Sequence, residues 1–68
     1  MFDITQIGLN IMKARKAAGL PRMELAEQMG ISFRTVSNWE LGLSCPDIVK
    51  LEELSALLDP QIRREHYV

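Results

Sequence analysis

At the middle of the chain, Arg34, Ser37 and Asn38 stand within five residues of one another, beside Val36, Trp39 and Glu40. At 100° per residue, Val36, Trp39 and Glu40 fall on one side of a helix, with Arg34, Asn38 and Leu41 nearly opposite and Ser37 at the flank. One side is built to pack and the other displays hydrogen-bonding groups. Arginine and asparagine are the side chains that pair bidentately with guanine and adenine edges, and an α-helix fits the major groove. A helix exposing Arg, Ser and Asn can equally be solvated and read nothing, which is the commoner fate of a polar face.

No other set of residues competes for chemistry. The single cysteine, Cys45, and the single histidine, His66, cannot supply the four ligands of a structural zinc site. Cys45 reads as an incidental loop thiol, and Glu52 and Glu53, on adjacent helical directions among leucines, read as solvated surface. No nucleophile, base and orienting group assemble into a catalytic set, so neither an enzyme, a cofactor nor a metal is expected.

The elements that must position the polar face are all helical. There is no sustained period-2 alternation and no Asn-Gly or Asp-Gly hairpin signal. Asp3 and Gln6 form a capping-box pattern with Phe2 and Ile7 at the staple positions, and Ile4, Ile7, Ile11, Ala14 and Ala18 recur at helical intervals until Gly19. This predicts a first helix over about residues 4–18. Pro21 in a first turn and Glu24 near the positive dipole end open a second, with Leu25, Ala26 and Met29 on its buried side and Gly30 as its stop. Ser32 caps a third over about residues 33–41, ended by Gly42. Asp47 caps a fourth, in which Ile48, Leu51, Leu54 and Leu58 should face inward, and Asp59-Pro60 opens a fifth over about residues 61–67.

The expected architecture is therefore a compact all-α five-helix bundle, residues 1–68 forming one domain. With 68 residues the chain is short for a multidomain enzyme, and 47% hydrophobic residues suffice for one core that burial alone must stabilise. No apolar run approaches the ~18 residues of a membrane span, and no secretory signal is evident, so no membrane partner and a cytoplasmic location are expected. The formal charge of −1 is awkward for a nucleic-acid partner until it is divided. Residues 13–38 carry five basic and two acidic side chains, while residues 39–60 carry one basic and five acidic. Acidity lies away from the polar face of the third helix, so the overall balance does not exclude DNA.

Leu25-Ala26, Met29-Gly30-Ile31-Ser32, Val36 and Trp39-Glu40, followed by Pro46-Asp47-Ile48, resemble the helix-turn-helix of the phage repressor and Cro-type (XRE) regulators, over roughly residues 7–58. The likeness is to N-terminal domains of Gram-positive bacterial regulators, and it implies a lambda-repressor-like fold with the helix-turn-helix at about residues 21–41. By that resemblance the third helix enters the major groove of double-stranded DNA with its N-terminal part leading. Phe33, Arg34, Ser37 and Asn38 then fall at base-facing positions, Phe33 against a thymine methyl. Arg22 stands where the family usually has a phosphate-binding glutamine, and Ser32 and Thr35 are further phosphate donors. Arg15 and Glu40 match a pair that the family joins by a salt bridge.

The implied function is transcriptional regulation as a repressor in a bacterial or phage cytoplasm, associated with the nucleoid when bound. A homodimer on DNA is expected because one module reads few base pairs. Ile62 and Tyr67 of the fifth helix, or a further C-terminal domain in a longer native protein, are the candidate dimer surfaces. Several residues depart from the family pattern. Pro21 replaces a Ser or Thr cap, Ala14 replaces a larger aliphatic residue with Met12 or Met23 to fill the space, and Leu41 stands where Arg or Lys is usual. Leu41 with Leu43 makes a small apolar surface, which supports an alternative: a protein-interaction module of the same fold, such as an antitoxin or anti-repressor partner, with weak DNA affinity.

Overall fold

The computed structural model describes residues 3–58, which form four helices in the order α1 (Ile4–Ala17), α2 (Arg22–Met29), α3 (Phe33–Glu40) and α4 (Ile48–Leu58). Among the described residues there is no strand. The expected fifth helix, with Ile62, His66 and Tyr67, lies outside them, as does the staple residue Phe2.

Each helix begins where a side chain or a fixed φ permits it. Asp3 Oδ1 accepts the amides of Thr5 at 3.0 Å and Gln6 at 3.3 Å, satisfying two of the unpaired first-turn donors. The reciprocal half of the capping box is absent, because the Gln6 side chain turns along the helix and donates to Asn10 Oδ1 at 3.1 Å. Ser32 Oγ caps α3 by accepting the Thr35 amide at 3.2 Å, and Asp47 Oδ1 accepts the Lys50 amide at 2.9 Å at the start of α4. Pro21 is not inside the first turn of α2, where its helix-start signal puts it. It is the cap residue, as the family resemblance implies, extended at φ −65° and ψ 155°, and it supplies no side-chain acceptor.

The turn between α2 and α3 is short because Gly30 takes a left-handed conformation, φ 68° and ψ 32°, that costs an L side chain steric energy. The Gly30 amide then donates to Glu27 O and the Ile31 amide to Ala26 O, closing the last carbonyls of α2 and reversing the chain within three residues. The same pair of closing bonds ends α1 and α3. The first and third helices are each a residue shorter than expected: Ala18 and Leu41 are cap residues, and Ala18 is exposed.

A single core gathers Ile11 and Ala14 of α1, Leu25, Ala26 and Met29 of α2, Val36 and Trp39 of α3, and Leu54 and Leu58 of α4, with Ile7, Leu20 and Ile31 packed against it. The expected inward face of α4 is corrected at one residue. Ile48 is 73% exposed, since each three-residue step drifts about 60° around a helix of 3.6 residues per turn and carries Ile48 off the side occupied by Leu54 and Leu58. Met23, 62% exposed, fills no space near Ala14, whereas Met12 is half-buried.

Gly8 is a buried contact that the hydrophobic pattern did not mark. A Cβ on it would lie 2.2 Å from the backbone oxygen of Trp39 and 3.1 Å from that of Glu40, so α1 and the end of α3 touch through main chain. A glycine inside a helix costs about 1 kcal/mol relative to alanine, and here it permits main-chain contact between α1 and the end of α3. Trp39 and Glu40 are thereby set at a fixed depth, which determines how far the opposite face of α3 projects.

Candidate nucleic-acid interface

The orientation of α3 is set at its buried end by an ionic cluster. Glu40 is the last residue of α3 and its side chain is wholly buried. Arg15, in the last turn of α1, donates from Nε to Glu40 Oε2 at 2.6 Å and from Nη2 to Oε1 at 3.1 Å, a two-point fork that fixes both planes. Its third group, Nη1, donates to the backbone oxygen of Leu20 at 2.8 Å, in the connection between α1 and α2. Arg22, the first residue of α2, donates from Nε to Glu40 Oε1 at 2.8 Å. One carboxylate thus joins three helices, and no buried side-chain nitrogen or oxygen among the described residues lacks a partner. The Arg22 contact was not anticipated from the sequence, where Arg22 figured only as a phosphate donor.

With Val36, Trp39 and Glu40 held inward, the remaining sides of α3 turn outward. Phe33 is 49% exposed at the first helical position, Arg34 is exposed, and Ser37 and Asn38 are half-buried one turn later. Among the described residues, the side chains of Arg34, Ser37 and Asn38 form no hydrogen bond, so their donors and acceptors remain available. The backbone oxygen of Asn38 is already used, accepting the Leu43 amide at 2.9 Å in the turn that ends α3. These four residues, at i, i+1, i+4 and i+5, occupy one continuous strip along the helix.

Ser32 and Thr35 sit together at the start of that strip, their hydroxyl oxygens 2.9 Å apart. Ser32 Oγ also accepts the Thr35 amide, so one hydroxyl proton is spent between the pair and one is left for an outside acceptor. Arg22 retains side-chain exposure of 33% despite its bond to Glu40, and neither of its terminal nitrogens has a hydrogen-bond partner among the described residues. Leu41 is 62% exposed and Leu43 is 70% exposed in the connection from α3 to α4, and Ile48 and Val49, the latter 57% exposed, add two exposed apolar residues at the start of α4. Cys45 is a free, half-buried thiol whose Sγ contacts Pro46 O.

Among the described residues, no group of His, Cys, Asp and Glu stands together in a way that could hold a metal ion. No helix among them is long and apolar enough to cross a membrane.

Comparison with known proteins agrees with the geometry of the α2-turn-α3 unit. A family model described as Helix-turn-helix matches residues 11–59, from the buried Ile11 of α1 past the end of α4. Neither the curated proteins nor the solved structures yield a match. The matched span covers more than two thirds of the chain and includes the ionic cluster, the glycine turn and the exposed strip of α3, and on that basis the chain belongs to the Cro/C1-type (XRE) helix-turn-helix family of DNA-binding transcription regulators.

Proposed function

We propose that the domain binds double-stranded DNA at a specific sequence, with the N-terminal part of α3 in the major groove, and that it acts as a repressor. The observation that carries this reading is the division of α3: the side chains of Arg34, Ser37 and Asn38 have no hydrogen-bond partners among the described residues, on a helix whose other side is anchored by Val36, Trp39 and Glu40. In this reading Arg34 and Asn38 pair with base edges, Ser37 assists, and Phe33 meets a thymine methyl. Arg22 and the Ser32–Thr35 pair meet phosphates and fix the register. The repressor role follows the family's phage members and the occlusion of a promoter by a bound pair of modules.

A homodimer on DNA places two α3 helices about 34 Å apart on a pseudo-palindrome. Titration of palindromic and scrambled duplexes at several salt concentrations tests the proposal. Preference for a palindrome with a shallow salt dependence is expected, because Arg22 is the one basic residue that meets a phosphate in this reading and Arg34 the one basic residue of α3. Absence of binding at low salt to every duplex overturns it.

The apolar stretch Leu41, Leu43, Ile48 and Val49 supports a second reading, in which the fold serves as a protein-interaction module with weak DNA affinity. Concentration-dependent association without DNA, with amide shifts centred on Leu41 and Leu43 and none at Arg34 and Asn38, favours that alternative.

A further inference from the structure

We infer that Glu40 is a positioning residue for DNA binding: buried and acidic, it holds Arg22 by the Nε atom so that the two terminal nitrogens of Arg22 face a phosphate. The inference rests on the reading of Arg22 as a phosphate contact.

An arginine presents three nitrogens in one plane, and each partner it meets fixes part of that plane. Arg22 spends only Nε on Glu40 Oε1, at 2.8 Å, and a third of its side chain is exposed. The end of the guanidinium opposite the side chain is the part left to meet an anion. Arg15 takes the same carboxylate at two points, so Glu40 cannot turn to follow Arg22, and the direction of Arg22 is inherited from the Arg15 fork. The cluster contains two cations and one anion, and its surplus positive charge has its exposed portion on Arg22, since Arg15 and Glu40 are buried.

Two consequences separate this arrangement from a surface arginine. A free arginine loses its rotamer freedom when it docks, whereas one already held in the unbound protein loses less, a difference of about tenfold in affinity at most. The sign of the Glu40 effect is also reversed. Judged by charge alone, neutralising an acidic residue tightens binding to a polyanion. Judged by positioning, the same change weakens binding. Three arginine N–H donors share the two carboxylate oxygens of Glu40. A glutamine offers one acceptor oxygen with two lone pairs, and its NH2 group faces an arginine N–H that it cannot accept, which disrupts the fork that orients Arg22.

The test uses the full chain and a non-cognate duplex, on which base reading contributes nothing, with Arg22→Ala, Glu40→Gln and the double variant compared with wild type across a salt series. Arg22→Ala is expected to weaken binding several-fold and to reduce the salt slope by about 0.9. Glu40→Gln is expected to weaken binding too, and in its background Arg22→Ala is expected to have a much smaller further effect. Equal effects of Arg22→Ala in both backgrounds, or tighter binding by Glu40→Gln, overturn the inference while leaving the phosphate contact intact. No change in affinity or slope from Arg22→Ala in the wild-type background removes the phosphate contact itself.

Should thermal melting show that Glu40→Gln does not fold, Arg22→Lys decides, since it keeps the charge and leaves the Arg15–Glu40 pair untouched. A lysine has one ammonium and cannot hold Glu40 and a phosphate through separate groups, so a several-fold loss is expected. Binding equal to wild type overturns the inference.

Discussion

The seam between α1 and α3 and the connection from α3 into α4 lie at the same end of α3, yet they are built in opposite ways. In the seam, Gly8 admits main chain to main chain, Trp39 is buried, and Glu40 is held by two arginines. In the connection and the first turn of α4, Leu41, Leu43, Ile48 and Val49 are all more than half exposed. The first region uses polar and small residues to fix an orientation, and the second leaves apolar residues unused by the fold. Polar chemistry here specifies where α3 sits, and the exposed apolar side chains are ones the fold leaves outside its core.

The sharpest break of this contrast is at the ionic cluster. Arg15→Ala leaves Glu40 buried with one partner, and a loss of about 3 kcal/mol is expected, measured by urea unfolding. A double-mutant cycle of Arg15 and Glu40 should give coupling of similar size, and near-zero coupling contradicts the assignment of the seam as the orienting element.

Next in size is Gly8→Ala. Alanine gains about 1 kcal/mol of helix propensity, but its Cβ meets backbone that cannot swing aside, so a net loss of about 2 kcal/mol is expected in the same assay. A stabilised Gly8→Ala variant would mean that α1 and α3 are not in main-chain contact.

The smallest effects belong to the connection. Leu43→Ser and Ile48→Ser are expected to change unfolding free energy by no more than about 0.5 kcal/mol. The same variants sharpen the contrast if they reduce cooperative occupation of a palindromic duplex while binding to a half-site is unchanged, measured by gel shift. A large loss of stability would show that these side chains belong to the core.

Much of this was legible in the residues. Asp3, Ser32 and Asp47 announced three helix starts, Gly19, Gly30 and Gly42 the stops, and the 100° pattern of α3 separated Val36, Trp39 and Glu40 from Arg34 and Asn38. The resemblance to the family added the pairing of Arg15 with Glu40. Three features escaped because they depend on how helices meet rather than on one helix. Gly8 carries no turn signal, although a glycine inside an otherwise good helix is itself a mark of close approach. Ile48 fits a three-residue count yet drifts off the buried side over two such steps. The Arg22 bond to Glu40 needs the α2 start and the α3 end brought together, and no spacing in the chain records that.

The central claim is that the strip on α3 reads base sequence while the buried side only holds it in place. It is tested most directly by selecting a palindromic duplex from a random pool and measuring the ratio of its affinity to that of a scrambled duplex, for wild type, Arg34→Ala and Asn38→Ala. Each substitution is expected to lower the ratio by about 1–3 kcal/mol at its own base position, with binding to the scrambled duplex far less affected and the melting temperature unchanged. A ratio that stays at the wild-type value in both variants contradicts the claim.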